Sequence, residues 1–277
     1  MKIIVTGGSG FVGSHTITAL REKGYEVLNF DLSQYDIRDY YQVKTAINKG
    51  DKVLHLAAIA RFAEADDDPL LCYETNVKGT ENIAKACKEK GAERLVYSST
   101  GSVYMPIEQE PPITEEFKCR GNSVYACSKF VAEEIIRKLE IPHIILRYAH
   151  LYGEGKIGHG AIGGFIDRMN RGLAPRLYGG RQSNDFTYIK DIVQANILAL
   201  ETDKLNETYN IGTGEELSTE GVFKTLADFF DYHKEFERLP LRVVDPLRFV
   251  FDISKAKREL GYEPKYNFKH GIEDWLK

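Results

Sequence analysis

The sequence has few cysteines and no long apolar run. No apolar stretch approaches the length of a membrane span, and we expect no membrane partner. No signal peptide precedes the first strand-like run at residue 2, so we expect a cytoplasmic protein. The four cysteines, Cys72, Cys87, Cys119 and Cys127, lack the spacing of a metal site. We expect them to be free thiols, and we expect no bound metal.

Neither sign of charge dominates the sequence. The 37 Lys and Arg residues and 41 Asp and Glu residues give a formal net charge of −4. This balance gives no reason to expect nucleic acid or an anionic membrane surface as a partner. Internal repeats and low-complexity segments are also missing. At 277 residues and 43% hydrophobic composition, the chain is long enough for one large core, or for a main domain with a smaller lobe.

The glycine-rich stretch TGGSGFVGSH, residues 6–15, lies between an apolar run and a helix-like pattern that ends at Gly24. Gly7, Gly10 and Gly13 give the spacing G-x-x-G-x-x-G, which lets backbone N–H groups approach a pyrophosphate at a helix start. A plain strand-to-helix turn would need no ligand. The second strand-like run ends at Asp31, whose carboxylate suits a ribose and repels a 2′-phosphate. The stretch therefore predicts dinucleotide binding, with NAD preferred over NADP.

Strand-like and helix-like segments alternate through the first half of the chain, which predicts a parallel sheet with helices on both faces. The predicted strands are residues 3–5, 26–30, 52–56, 94–98 and 141–146. The predicted helices lie near 14–23, 39–49, 72–90 and 125–139. After about residue 150 come glycine-rich loops and then helices near 191–201, 218–232 and 254–260. We predict a dinucleotide-binding domain in residues 1–150, rejoined by about 186–212, and a smaller lobe mainly from residues 151–277.

Candidate chemistry lies at the end of one strand and on one helix. Residues 94–98 deliver Ser98 and then Thr100 to a strand's carboxyl end. Tyr125 and Lys129 stand at i and i+4, so they share a helix face. An ammonium beside a phenol would lower the tyrosine pKa and suit it to acid/base work, and Thr100 would orient the same substrate oxygen. By itself this pair is usually two surface residues, but the glycine stretch and Asp31 favour the functional interpretation.

Ten ordered blocks, nearly end to end, resemble one known family. They are TGGSGFVGSH, DIRD, HLAA, NVKGT, VYSSTGSVY, YACSK, LRYAHLYG, NDFTYIKD, YNIGTG and DISKAKRELGYEP. On these blocks the chain resembles the extended short-chain dehydrogenases/reductases of the NAD-dependent sugar epimerase/dehydratase family. The resemblance implies an α/β Rossmann fold, a doubly wound parallel sheet with a smaller C-terminal α/β substrate lobe. It also implies a homodimer formed through the helices near 72–90 and 125–139.

The resemblance also implies residue roles. Tyr125 would be the catalytic acid/base, Lys129 its partner and a ligand of the nicotinamide ribose, and Thr100 the hydroxyl that holds the reacting oxygen. Asp31 would hold the adenosine ribose. The implied NAD-binding set is Gly7, Gly10, Phe11, Val12, Gly13, Asp31, Asp36, Ile37, Leu56, Ala57, Ala58, Asn76, Ser98, Tyr125, Lys129 and Tyr148.

The positions after Thr100 indicate the branch of the family. Dehydratases and decarboxylases resembling this chain carry acidic residues there, whereas this sequence has Gly101 and Ser102. The resemblance therefore favours a nucleotide-sugar 4-epimerase on a UDP-hexose, acting through a 4-keto intermediate with Tyr125 as acid/base. The alternative is an NAD-dependent dehydrogenase or reductase of a sugar or uronate without the nucleotide. A catalytically silent NAD-binding module is disfavoured because Tyr125 and Lys129 are both present.

The implied substrate-binding set is Thr100, His150, Asn184 and Arg242. Two of these depart from the family pattern, which often has Asn at position 150 and Arg at position 184, where the arginine contacts the diphosphate. Lys156 or Arg181 would be a substitute for that charge. His150 has a second interpretation, as an ordinary packed histidine. Arg61 also has two interpretations, since it would face either the substrate or the solvent.

Overall fold

The structure, a computed structural model, describes residues 2–107, 110–157, 160–240 and 247–277. The strands of this part of the chain are β1 (Ile3–Thr6), β2 (Val27–Phe30), β3 (Lys52–His55), β4 (Arg94–Thr100), β5 (His143–Tyr148), β6 (His150–Tyr152), β7 (Arg176–Tyr178), β8 (Ser183–Asn184), β9 (Phe186–Tyr188), β10 (Glu207–Ile211), β11 (Leu217–Ser218), β12 (Glu237–Leu239) and β13 (Arg248–Phe249).

Its α-helices are α1 (Phe11–Glu22), α2 (Tyr40–Ala46), α3 (Phe62–Asp67), α4 (Pro69–Tyr73), α5 (Thr80–Lys90), α6 (Val124–Lys138), α7 (Gly160–Asn170), α8 (Ile189–Glu201), α9 (Thr219–Phe230), α10 (Ser254–Leu260) and α11 (Phe268–Leu276). A π-helical turn (Glu74–Gly79) joins α4 to α5, and a 3₁₀ turn (Gly101–Tyr104) follows β4. None of the described helices is long and apolar enough to span a membrane.

A six-stranded parallel sheet carries the site, in the order β2-β1-β3-β4-β5-β10. The side chains of β1 alternate between two cores: Ile3 and Val5 pack with α1 and α8, and Ile4 packs with α2, α5 and α6. Helices therefore cover both faces, and the predicted doubly wound parallel sheet is confirmed. The chain leaves β1 towards β2 on one side and returns to β3 on the other. This reversal opens a crevice at the carboxyl ends of β1 and β3, where such sheets bind ligands.

The smaller sheets belong to the region after residue 150. They pair β6 with β9, β7 with β12, and β8 with both β11 and β13. The helices predicted near 191–201, 218–232 and 254–260 are confirmed as α8, α9 and α10. Strand β10, from the segment expected to rejoin the main domain, lies beside β5. The domain boundary at residue 150 stays a prediction.

The helices of the described residues that the sequence analysis did not predict include α3, α7 and α11. Helix α7 begins at Gly160 and contains Gly163 and Gly164, and each glycine inside a helix costs about 1 kcal/mol relative to alanine. Its buried side chains, which include Ile162, Phe165, Ile166 and Met169, offset this cost by packing into the core. The predicted helix over 72–90 is also divided, because the π-helical turn interrupts it.

Candidate active site

The glycine turn between β1 and α1 fits a pyrophosphate closely. Gly7 has φ +67°, and a Cβ on it would lie 2.7 Å from the Cα of Ala57. A Cβ on Gly13 would overlap the carbonyl oxygen of Gly7 and lie 2.6 Å from the Cα of Gly8. Gly10, the N-cap of α1, offers no side-chain cap to the helix start. The backbone N–H groups there remain available to an anion, and the helix dipole favours its negative charge.

Asp31 follows β2 directly and stands beside this turn. Its Oδ2 accepts a hydrogen bond from the backbone N–H of Ser9 at 3.0 Å, which fixes the carboxylate next to the glycines. A half-buried carboxylate at this distance from a pyrophosphate cradle can accept hydrogen bonds from ribose hydroxyls and disfavours a phosphate there. The residues present therefore fit NAD at its adenosine end.

The floor of the crevice is built from the end of β3. The hydroxyl oxygen of Thr6 accepts hydrogen bonds from the N–H groups of Leu56 and Ala57, both at 3.2 Å, and lies 2.6 Å from Nδ1 of His55. Ser98 on β4 donates to the carbonyl oxygen of His55 at 3.0 Å. These bonds fix the turn after β3, so its small residues can pass close under a bound cofactor.

Tyr125 and Lys129 lie on α6, whose start is capped by Ser123 accepting a hydrogen bond from the N–H of Ala126 at 3.1 Å. Both side chains line the same cavity as the glycine turn, together with Thr100. Lys129 is only 2% exposed, and its Nζ lies 4.2 Å from the centroid of the Tyr97 ring. The predicted pair is thus brought together with Thr100 at the carboxyl end of β4.

Burial dominates the ionisation of this pair. It raises the pKa of Tyr125 to about 12, although a hydrogen bond with Thr100 acts in the opposite direction. Burial also lowers the pKa of Lys129 to about 7, with Glu133 opposing the shift. The expected lowering of the Tyr125 pKa by Lys129 is therefore not observed. The reason is desolvation, which disfavours the charged form of both groups.

A buried hydrogen-bond network joins α6 to β4 and β5. Glu133, one turn beyond Lys129, accepts hydrogen bonds from Arg147 at 3.0 and 2.6 Å and from Ser99 at 2.5 Å. Arg147 also donates to the hydroxyl oxygen of Tyr104 at 2.7 Å. Burial alone would raise the pKa of Glu133, but the hydrogen bonds from Arg147 hold it below its ordinary value. The sequence analysis missed this network, although Glu133 continues the i, i+4 spacing of Tyr125 and Lys129.

The crevice is a cavity of about 630 Å³. Most of the predicted site residues line it: Gly7, Gly10, Phe11, Val12, Gly13, Asp31, Leu56, Ala57, Ala58, Ser98, Thr100, Tyr125, Lys129, Tyr148 and His150. The hydroxyl of Tyr148 donates to Asn196 at 2.5 Å. Hence its ring, rather than its oxygen, is the part that a ligand would meet.

Three predicted cofactor residues do not line this cavity. The Asp36 carboxylate is engaged by the guanidinium of Arg38 at 2.6 Å. Ile37 is buried and packs against Gly79. A Cβ on Gly79 would lie 2.5 Å from Cδ1 of Ile37. Asn76 accepts from the N–H of Ile59 at 2.8 Å and donates to its carbonyl oxygen at 3.0 Å. Asn76 thus supports the loop after β3.

A second cavity of about 570 Å³ adjoins the first, and His150 and Phe62 line both. Asn184 lines it together with two basic side chains that the sequence analysis missed, Arg168 on α7 and Arg176 on β7. Strand alternation was the available signal, since Arg176 and Tyr178 face the cavity while Leu177 is buried between them.

The remaining sequence candidates fall in different places. His150 is exposed, with its ring edge-on to Phe249 at 5.2 Å between centroids, so it is not a packed core histidine. Lys156 and Arg61 both line the first cavity. Arg181 is exposed and is not among the residues that line either cavity. Arg242 lies outside the described residues. Within the described ranges, no group of three or more His, Cys, Asp or Glu is placed to hold a metal ion.

Comparisons with known proteins agree with this geometry. UDP-glucose 4-epimerase of Thermotoga maritima, solved with UDP-glucose, is 31% identical, with a TM-score of 0.93 over 100% of this chain and 97% of that one. UDP-glucose 4-epimerase of Thermus thermophilus, solved with NAD, is also 31% identical, with a TM-score of 0.87 over 100% of this chain and 98% of that one. UDP-glucose 4-epimerase of Bacillus subtilis is 29% identical, covering 99% of this chain and 94% of its own length.

The family model of the NAD dependent epimerase/dehydratase family matches residues 3–212. That range begins with β1 and ends just beyond β10, so it contains every strand of the parallel sheet. The match confirms the prediction of NAD as cofactor. The chain belongs to the NAD-dependent epimerase/dehydratase family of extended short-chain dehydrogenases/reductases.

Proposed function

We propose that this protein is a nucleotide-sugar 4-epimerase acting on a UDP-hexose. One observation supports this most strongly: Tyr125 and Thr100 line the same cavity as the glycine turn, and no acidic side chain follows Thr100. The two solved relatives named above are UDP-glucose 4-epimerases of the same fold, one with UDP-glucose and one with NAD.

The residues of the cavity divide the work. NAD, when bound, accepts a hydride from the sugar and later returns it. Tyr125 takes the proton of the C4 hydroxyl as a transient 4-keto sugar forms, and gives it back when the hydroxyl is restored. Thr100 would hold that oxygen beside Tyr125, and Lys129, when protonated, would supply positive charge near the phenol and hold the nicotinamide ribose.

Packing excludes an acidic residue at the position after Thr100. A Cβ on Gly101 would overlap the ring of Phe249 and lie 2.7 Å from Cζ of Phe251. A carboxylate at this position would need both rings to move, so elimination assisted by an acid at residue 101 is sterically blocked. Ser102, the next residue, is too weak an acid for that role.

The second cavity suits the nucleotide part of the substrate. Its described lining contains two arginines and no carboxylate, in a chain whose net charge is −4. The Nε–H of Arg168 donates to the carbonyl oxygen of Ala174 at 2.6 Å. This bond does not use the terminal N–H groups of Arg168. Arg176 donates its Nε–H to Glu237 at 2.9 Å. The terminal N–H groups of Arg168 and Arg176 would bind a diphosphate by charge-assisted hydrogen bonds in place of an arginine at position 184.

Proton NMR of two separate incubations tests the function. Purified protein with catalytic NAD is mixed with UDP-glucose in one tube and UDP-galactose in the other. We expect both to converge on the same mixture, because an epimerase regenerates its cofactor in every turnover. If neither sugar nucleotide changes, the proposed substrate is wrong.

The alternative function, a dehydrogenase or reductase of a sugar or uronate without the nucleotide, predicts a different result. Net oxidation releases reduced cofactor, so NADH would accumulate in proportion to the product when NAD is in excess. The departure that favours this alternative is Asn184, which replaces a charged residue with a neutral one. Epimerisation predicts no NADH accumulation with either sugar nucleotide.

We also propose a homodimer through the helices near residues 72–90 and 125–139, which overlap α4, α5 and α6. Leu70, Tyr73 and Val131 are exposed by 68%, 46% and 42% on the outer side of these helices. α4 packs against α6, so the three side chains belong to one helical layer. Burying such a cluster in a symmetric interface would remove apolar surface from water.

We also propose a cytoplasmic location, in which the four free thiols would stay reduced.

A further inference from the structure

Two basic side chains stand opposite the glycine turn. Arg61, in the loop after β3, and Lys156, in the loop after β6, both line the cofactor cavity. Both also line a wider groove of about 910 Å³, whose walls include Gly10, Phe11 and the outer face of α1. They therefore lie where the cavity opens to solvent, beside the helix start that fits a pyrophosphate.

The loop that carries Lys156 is held against α1. The backbone N–H of Lys156 donates to the carbonyl oxygen of Gly153 at 3.1 Å. Nε2 of His15 lies 3.2 Å from the carbonyl oxygen of Glu154. As a result, Nζ of Lys156 lies 4.8 Å from the centroid of the Phe11 ring, and Phe11 is the first residue of α1. The ammonium is thus positioned over the side chain of the first residue of α1.

Lys156 and Arg61 lie close enough to affect each other, among carboxylates of the same cavities that include Glu64 and Glu154. Burial lowers the pKa of Lys156, and the charge of Arg61 lowers it further. Arg61 itself is paired with Glu64 at 2.9 Å. Two cations beside the positive end of a helix dipole raise the electrostatic free energy of the cofactor-free protein, and a bound anion would lower it.

We propose that Lys156, with Arg61 beside it, binds the pyrophosphate of NAD against the start of α1 and slows its release. This inference rests on the proposed function, since it takes NAD to bind at the glycine turn. It extends that function by naming a cause of cofactor retention. A 4-epimerase needs NAD to stay bound through both hydride transfers, whereas a dehydrogenase must exchange it.

Release of the reduced cofactor tests the proposal without any turnover. Protein loaded with NADH is mixed with excess NAD, and the fall in NADH fluorescence gives the dissociation rate. We expect Lys156→Gln to release NADH about 10- to 100-fold faster than wild type, the range for losing one charge-assisted hydrogen bond. Lys156→Arg keeps the charge and should stay within about tenfold of wild type. Raising the salt concentration should accelerate release from wild type more than from Lys156→Gln.

Lys190→Gln is the matched control. Lys190 lines the same outer groove and carries the same charge, but it is paired with Asp274 at 2.6 Å. We expect its release rate to stay within about twofold of wild type, because a surface ion pair contributes little. Equal release rates for Lys156→Gln and wild type would overturn the role of Lys156 alone. Failure of wild type to bind NADH would instead overturn the cofactor site and with it the proposed function.

Discussion

Replacement of Glu133 by Gln should destabilise the protein strongly. The Glu133 side chain is 0% exposed and that of Arg147 is 4% exposed, and two hydrogen bonds of 3.0 and 2.6 Å join them. Gln keeps the size and one acceptor oxygen, but its NH₂ group would face a donor of Arg147. The guanidinium would then be buried without a counter-charge. Removing one partner of such a buried pair costs about 3–5 kcal/mol of stability. Because Gln retains one acceptor oxygen, we expect the free energy of unfolding to fall by about 3 kcal/mol.

Urea denaturation followed by intrinsic fluorescence measures this loss. With a slope of about 3 kcal/mol/M for a chain of this size, the midpoint should fall by about 1 M. Glu134→Gln is the control, because Glu134 is 57% exposed in its ion pair with Arg137 and should cost less than about 1 kcal/mol. If the free energy of unfolding falls by the same small amount in both variants, the buried pair does not stabilise the fold more than a surface ion pair does.

The pH dependence of this difference has a defined sign. The pKa of Glu133 lies below its ordinary value of 4.5 in the folded protein, because Arg147 hydrogen-bonds to the carboxylate. Its stabilisation is therefore fully present above the unfolded value and is lost as the pH falls through the folded value. The gap in stability between wild type and Glu133→Gln should be constant near neutral pH and should shrink in strongly acidic solution.

Three further predictions concern the cavity and the helical layer. Tyr125→Phe should lower turnover of UDP-glucose by about 10²–10⁴-fold, because it removes the acid/base group, while NAD binding measured by calorimetry stays near wild type. Near-normal turnover would contradict the mechanism. Gly13→Ala should abolish NAD binding, since its Cβ has no room beside Gly7 and Gly8; normal binding would show that the turn can yield. Val131→Glu should shift the protein towards monomer in light scattering, and an unchanged mass would exclude this surface as the interface.

The parts of the fold that the sequence predicted well are those controlled by local pattern. The strand over residues 3–5 and the helix near 14–23 follow from an apolar run and a glycine turn, which act within a few residues, although α1 begins earlier than predicted, at Phe11. The Tyr125–Lys129 pair was predictable for the same reason, since a helix fixes i, i+4 neighbours. The roles of Tyr125 and Lys129 stay predictions.

Features that depend on distant contacts could not be predicted. Helix α7 forms although its glycines disfavour it, because Phe165 and Met169 reach the core. The pKa of Tyr125 depends on how deeply α6 is buried, which spacing alone does not reveal. Asp36 stood in a recognisable motif, but the sequence did not show that Arg38 would occupy its carboxylate. Arg168 and Arg176 were missed because they meet only when α7 and β7 fold to the same cavity.

The position of β10 at the edge of the sheet has a consequence for biosynthesis. Strand β5 is buried along its whole length, and its partner β10 begins only at Glu207. While the ribosome makes residues 149–206, the nascent chain can hold β1 to β5 together with one apolar edge uncovered. Such an edge is a template for pairing with other chains. Newly made chains should therefore depend most on chaperones in that interval, which ends when β10 docks beside β5.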